Sequence, residues 1–292
     1  MLSLLFASVV FQELVQDPGS FVRTINRADG VSVSQTATFK LVAPGKPDLW
    51  LVGVAHIGEK QYYADIQSEL DKQDVVLFEG VRSKVAKQPK VDPKAPKPVY
   101  QVLSDAIGLD FQLVDIHYDR QHWINSDLSM DQLDAINKKN SKGKPNAFNM
   151  IEQILDPNSA QAKMTTQMLA SLPPSGKVAL KIFLVEKLAK IDTLLAAEAD
   201  PDTIKLILSD RNKSVENVYE KVLSGPQPPR SVAIFYGAAH MPELKAAFAA
   251  KYGYKLASQS WFTFAKVDRH KLDAAGQQFL NILEMASKSQ GG

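Results

Sequence analysis

Two histidines in this chain sit in nearly the same context. In LWLVGVAHIGEKQYY (Leu49–Tyr63) and SVAIFYGAAHMPELKAAF (Ser231–Phe248), an apolar run ends in Gly-x-Ala-His, and a glutamate follows three positions later. Aligned on His56 and His240, Gly53 matches Gly237, Ala55 matches Ala239 and Glu59 matches Glu243. An imidazole between a buried strand and a helix start faces the positive end of the helix dipole, which favours the neutral ring needed by a general base or a metal ligand. One such histidine is ordinarily a satisfied core residue. Two in the same uncommon setting point to chemistry. The glycines, lacking a β-carbon, let a neighbouring backbone or ligand come close at the strand end.

Glu79 closes the run VVLFEG. A carboxylate at the end of so apolar a strand must reach solvent or find a cation or metal, because burying it unpaired is costly. Arg82, three residues on, and Arg211, in SDRNKS, are the candidate partners. In HWINSDLS (His122–Ser129), Asp127 or Ser126 reads as the N-cap of the helix carrying Met130 and Leu133. His117 and His270 lack a comparable setting and read as surface or packing residues.

The elements that must position these groups follow from periodicity. SQTATFKLV alternates as a half-buried strand, while LWLVGVA and DVVLFEGV are continuous apolar runs suited to strands buried on both faces. Between the last two, EKQYYADIQSELDKQ puts Tyr63, Ile66 and Leu70 on one helical stripe. Strand, helix, strand in this rhythm predicts a parallel βαβ unit. VYQVLSDAIGL reads as a helix and DFQLVDIHY as a strand; from Trp123 to Ser224 the text is helical, with Pro201 suited to a first turn. SVAIFYGAA is a late buried strand, PELKAAFAAKYG a helix closing at Gly253, YKLASQSWFTFAKV a terminal strand or hairpin, and HKLDAAGQQFLNILEMASK the last helix. The fold class expected is α/β: a central, mainly parallel sheet flanked by helices, with a helical insertion at about 125–225 between the two histidine motifs. In such sheets ligands collect at the carboxyl ends of the strands, where His56, Glu79 and His240 all fall.

Composition narrows the function classes. At 292 residues and 45% hydrophobic content the chain can bury a large core, and 21–292 reads as one domain. A net charge of +2 from 34 basic and 32 acidic residues gives no field for nucleic acid or an anionic membrane. Lys84–Val99, with five lysines and four prolines, reads as an exposed, extended loop rather than a nucleic-acid contact, since no aromatic residue interleaves the lysines. The lack of cysteine removes thiolate metal sites and thiol nucleophiles. The opening MLSLLFASVVF has the size of a signal-peptide core but no basic residue before Arg23, so residues 1–20 read either as an export signal, implying a periplasmic or secreted protein, or as a packed terminal element. No later stretch is apolar enough for a transmembrane helix.

Taken together, Gly53-Val-Ala-His56, Glu79 with Arg82, Asp210-Arg211-Asn212 and Gly237-Ala-Ala-His240 resemble the TraB/GumN/TIKI superfamily, whose more distant relatives include erythromycin esterases and ChaN-like haem-binding proteins. The resemblance spans roughly Leu49 to Phe264. It implies an α/β domain with a metal-dependent hydrolytic site of TIKI type, in which His56, Glu79 and His240 hold a divalent ion (Mn, Co or Zn) or act as acid/base groups. Arg211 would hold a substrate carbonyl or carboxylate.

Three functions are therefore expected to compete. The first is a metal-dependent hydrolase of peptide or ester bonds, with Arg211 or Arg82 supporting the developing oxyanion. The second is an esterase-like hydrolase without metal, in which one histidine is general base. The third is a binding protein that sequesters a peptide or small molecule at the same rim.

Overall fold

A computed structural model describes residues 19–80, 97, 99–141, 158–188 and 201–289. In chain order the elements are β1 (Val22–Asn26), β2 (Val31–Val42), β3 (Asp48–Val54), β4 (Ile57–Gly58), α1 (Lys60–Leu70), β5 (Val75–Phe78), α2 (Val99–Ile107), β6 (Asp110–Phe111), α3 (Gln112–Asp115) and β7 (Trp123–Asn125). Then come α4 (Met130–Ser141), α5 (Ala160–Ser171), α6 (Pro174–Leu188), α7 (Pro201–Ile204), α8 (Asp210–Leu223), β8 (Ser231–Gly237), α9 (Met241–Tyr252), β9 (Lys255–Asp268) and α10 (Ala274–Ser289). A π-helical turn, Lys205–Ser209, joins α7 to α8.

The protein is α/β. Seven strands form one mixed sheet in the order β1-β2-β3-β8-β5-β7, with β9 also pairing β2. Strands β3, β8, β5 and β7 run parallel, while β1, β2 and β9 form an antiparallel edge. The parallel strands are the apolar runs because helices cover both of their faces. Leu49, Leu51, Val76, Leu77, Ile234 and Phe235 are all fully or nearly fully buried. The α1 stripe is seated as its spacing predicts, with Tyr63, Ile66 and Leu70 at 0% exposure and Tyr62 at 1%. Each such side chain contributes about 1.5–3 kcal/mol relative to leaving it exposed.

Helix ends follow local chemistry. Pro242 lies in the first turn of α9, and Gly253 closes it at φ 75°, with its N–H on Ala249 O and that of Tyr254 on Phe248 O. The start of α4 differs from the expectation. Its cap is Ser129, whose Oγ accepts from Gln132 N–H at 3.3 Å while Gln132 Oε1 accepts from Ser129 N–H at 2.8 Å. This is a reciprocal capping box, so neither Asp127 nor Ser126 caps the helix. Ser126 instead meets the Tyr236 hydroxyl at 3.0 Å.

Two further boundaries move. DFQLVDIHY is not one strand: only Asp110–Phe111 is extended, pairing with β4 outside the main sheet, and the chain then turns into α3. The main-chain N–H of Gln112 bonds to His56 O at 3.0 Å, which draws the segment toward the first histidine. Conversely, Trp123–Asn125, at the start of the block read as helical, is the edge strand β7 beside β5. The Lys/Pro segment (apart from Lys97 and Val99), residues 1–18, Arg82, and the helical text at 146–155 and 189–199 lie outside the described residues. No described helix is long and apolar enough to cross a membrane.

Candidate functional site

Four adjacent parallel strands each deliver a polar side chain at the carboxyl end. His56 follows β3 by two residues, Gly237 ends β8 with His240 three positions on, Glu79 follows β5 directly, and Asp127 lies two residues past β7. This is the rim where loops diverge from an open α/β sheet. Three of these side chains, Glu79, Asp127 and His240, bond to Arg211 on α8, and His56 lies on the other side of Gly237 from them.

Local bonding holds the first histidine in place. Ala55 N–H donates to Tyr62 Oη at 3.0 Å, and Tyr63 Oη donates to Ala55 O at 3.0 Å, so two buried tyrosines of α1 clamp the turn between Gly53 and His56. The Tyr62 hydroxyl also shares a hydrogen bond with the Thr36 hydroxyl at 2.8 Å. The His56 ring itself is exposed. Its Nδ1 lies 2.8 Å from Gln112 Oε1, and Gln112 Nε2 donates to Tyr118 Oη at 2.7 Å. The amide oxygen accepts, so Nδ1 carries the proton and Nε2 keeps its lone pair. Nε2 points toward the end of β8. A methyl group placed on Gly237 would lie 3.2 Å from it and 3.4 Å from Glu79 Oε2.

The second histidine is the buried counterpart, 4% exposed. Its Nδ1 also meets an amide oxygen, Asn212 Oδ1, at 2.8 Å. The Asn212 orientation is set by Glu243, whose Oε2 takes the Asn212 amide N–H at 3.1 Å and Ser209 Oγ–H at 3.1 Å. Thus Nδ1 is protonated and Nε2 accepts, here from Arg211 Nη1 at 3.3 Å. Burial, reinforced by Arg211 and His56 and opposed by Glu79, pushes the His240 pKa down to about 3. This ring is neutral at ordinary pH.

Arg211 is the centre of the network. Nε and Nη2 grip Asp127 at 2.9 and 2.6 Å, Nη2 also reaches Glu79 Oε1 at 2.6 Å, and Nη1 donates to Ile207 O at 3.3 Å besides His240. All five guanidinium N–H groups are thereby engaged inside the protein. The preceding π turn, marked by the i→i−5 bond from Asp210 N–H to Lys205 O, sets the register from which Arg211 reaches inward. Glu79 Oε2 takes the Gly237 N–H at 2.6 Å. Burial raises the Glu79 pKa, but Arg211 first, then His240, His56 and the Gly237 N–H, outweigh it and hold the carboxyl well below its usual range. Asp127, with a side chain 0% exposed, accepts in addition from Gly80 N–H at 3.1 Å and Leu128 N–H at 2.8 Å. With Glu79 and Asp127 charged, Arg211 positive and His240 neutral, the cluster carries one net negative charge.

The expected metal ligands were His56, Glu79 and His240. Glu79 has both oxygens bonded to Arg211 and Gly237, and His240 has both ring nitrogens bonded to Asn212 and Arg211. Of these ring nitrogens and carboxylate oxygens only His56 Nε2 makes no hydrogen bond, and Arg211 bridges Glu79 Oε1 and His240 Nε2, which lie 3.8 Å apart. Among the described residues no group of three or more His, Asp or Glu side chains is arranged to hold an ion. The donor set as arranged does not fit a divalent metal. For Arg211 to hold a substrate carbonyl, it would have to release one of its five bonds.

Sequence reasoning missed Asp127, Gln112, Asn212 and Tyr118. Asp127 is separated from the apolar pair Trp123-Ile124 by Asn125 and Ser126, so the strand end that carries it leaves no apolar run in the sequence. Asn212 is adjacent to Arg211 in the DRN triplet. Gln112 and Tyr118 carry no local signal.

The buried neutral histidine has a thermodynamic consequence. A depressed folded pKa means stability that is full above about pH 6.5 and is lost as pH falls toward the folded value, at about 1.4 kcal/mol per pH unit. Glu79 adds the same sense of dependence only below its ordinary carboxylate range, so the interval from about pH 6.5 to about pH 5 isolates His240. Urea unfolding across that interval should show the slope in the native protein and lose it in His240→Gln. Parallel curves would contradict the buried, neutral assignment.

Comparison of the chain with protein-family models, curated proteins and solved structures returns no match.

Proposed function

We propose that the protein is a metal-independent hydrolase of ester or amide bonds, with His56 as general base. The observation that carries this reading is the exposed His56 ring: Gln112 holds its Nδ1–H, and its free Nε2 faces the Glu79 carboxylate across Gly237. In this reading Nε2 takes a proton from water as the water oxygen attacks the substrate carbonyl carbon. The imidazolium so formed sits beside a cluster with one net negative charge, which stabilises it. The same Nε2 then returns the proton to the leaving oxygen or nitrogen as the C–O or C–N bond breaks, giving an acid and an alcohol or amine. It is the reaction type of the esterase relatives within the superfamily the sequence resembles.

The donor for the developing oxyanion is the phenol of Tyr118, which Gln112 links to His56. Burial raises the Tyr118 pKa, and the Glu79 charge raises it further, so the phenol stays protonated. The Tyr118 hydroxyl accepts from Gln112, which leaves its own proton to donate. His240, Arg211, Asp127 and Asn212 act through Glu79 and are positioning residues.

Purified protein incubated with nitrophenyl esters and with peptide amides should turn over at least one class, at a rate unchanged by a strong chelator. Activity lost on chelation and restored by Mn²⁺, Co²⁺ or Zn²⁺ would replace this reading with the metal-assisted one. Stoichiometric capture of an intact substrate without turnover would replace it with sequestration.

Gly237 gives a second check. Its φ of −48° suits any residue, so Gly237→Ala acts only through the added methyl, which displaces His56 Nε2 or Glu79 Oε2 by a few tenths of an ångström. The expected result is a loss of about tenfold to a hundredfold in kcat/KM with a nearly unchanged melting curve. Full activity in this variant would remove Gly237 as the point where the two groups meet.

A further inference from the structure

A cleft lies away from the histidines, at the antiparallel edge of the sheet. Its walls are Val31 of β2, Ile107 at the end of α2, Val178 and Ile182 of α6 and Val267 of β9, enclosing about 460 Å³. That volume falls within the range of small-molecule sites, about 300–1,000 Å³. Three lysines converge on this apolar slot: Lys181 from α6, Lys266 from β9 and Lys271 from the turn before α10. None of the three forms an ion pair with a described residue, in a protein whose other basic side chains repeatedly do. Among the described residues, two acids lie beside them. Asp268 lines the cleft and takes the His270 N–H on Oδ1, and Glu59 acts on Lys181 from the start of α1 while its Oε1 takes the Lys266 N–H.

We infer that this cleft binds a single-chain amphiphile with a carboxylate head, its chain against the valine and isoleucine walls and its head among the three lysines. Like charges gathered at an apolar surface repel one another, the half-buried Lys181 also loses hydration, and a bound anion relieves both costs. Burial lowers the pKa of Lys181 and Lys271 lowers it further, against the pull of Glu59, as expected for an ammonium short of a counter-ion. Three lysines against Asp268 and Glu59 leave one net positive charge, which matches a monoanion better than a phosphate dianion. The apolar walls require a chain, which acetate or inorganic phosphate lacks. A polar head alone would leave Val178, Ile182 and Val267 uncovered.

Calorimetric titration of the full chain with dodecanoate, kept below its micellar concentration, tests this. Dodecanoate should bind at least about tenfold tighter than dodecanol, acetate or dodecyl phosphate. The double variant Lys181→Gln/Lys271→Gln should weaken dodecanoate by at least about tenfold and leave dodecanol unchanged. Lys271 is exposed and Lys181 half-buried, and far-ultraviolet circular dichroism of the variant checks that the fold is kept. Acetate binding as tightly as dodecanoate, dodecanol matching it, dodecyl phosphate exceeding it, or a variant that binds dodecanoate normally would each overturn the assignment. Unchanged hydrolysis by the double variant separates this cleft from the His56 site.

Discussion

Replacing Arg211 with methionine is expected to destabilise the fold by about 3–5 kcal/mol, the largest stability effect of any single substitution at the rim. Methionine fills much of the same volume, so the loss comes from charge rather than from a cavity. The Asp127 side chain is 0% exposed and that of Glu79 13%, and Arg211 is the cation that pairs with both. Without it, two carboxylates face each other in a poorly hydrated space, and the Nε2 of His240 loses its donor as well. Urea unfolding gives the measurement. The companion variants sharpen it: Asp127→Asn removes one charge of the pair and should cost less than Arg211→Met, and the double variant Arg211→Met/Asp127→Asn should recover part of the loss. An Arg211→Met protein within about 1 kcal/mol of the native one would mean that the network contributes little, and that Arg211 is held for a ligand rather than for the fold.

The second large effect is on rate. His56→Ala should reduce kcat/KM for the hydrolysed substrate by about a hundred- to ten-thousand-fold, the range general-base catalysis supplies. Its melting temperature should stay near the native value, because the ring is exposed and its one side-chain bond is to Gln112. Gln112→Ala should cost less, since it frees the ring without removing it. His240→Ala should behave in the opposite way, with a large fall in stability that accompanies any fall in rate. The contrast between the two histidines is therefore the diagnostic measurement. Equal rate losses and equal stability losses in His56→Ala and His240→Ala would contradict a division of labour between an exposed base and a buried positioning ring.

Much of this site was legible in the chain. The duplicated Gly-x-Ala-His context singled out His56 and His240, and the cost of ending an apolar strand in a carboxylate singled out Glu79 as needing solvent, a cation or a metal; of the two candidate arginines, Arg211 is the one that pairs with it among the described residues. These features are local: each depends on a strand end, a turn and a helix start lying within one short stretch. The βαβ unit was legible for the same reason, since Tyr63, Ile66 and Leu70 recur at helical spacing between two continuous apolar runs.

Asp127 shows where local information ended. As a residue just before a helix it matched an N-cap, but Ser129 with Gln132 forms the cap, and Asp127 belongs to the strand end before it. That strand, Trp123–Asn125, has three residues, too few for a period to show, and it exists because its backbone pairs with β5. Gln112 was hidden similarly, within text that alternates like a strand but turns helical where its backbone meets His56 O.

By itself the sequence determined which residue types would gather at the rim and on which kinds of element they would ride, because hydrophobic period and strand-end chemistry are properties of contiguous text. Only the tertiary structure decided how the surroundings of those residues differ. Two histidines with the same flanking residues became an exposed ring and a buried one, because the sheet order places β8 between β3 and β5 and brings α8 over the second motif. Burial, and with it protonation state and the direction of a lone pair, is set by neighbours distant in sequence.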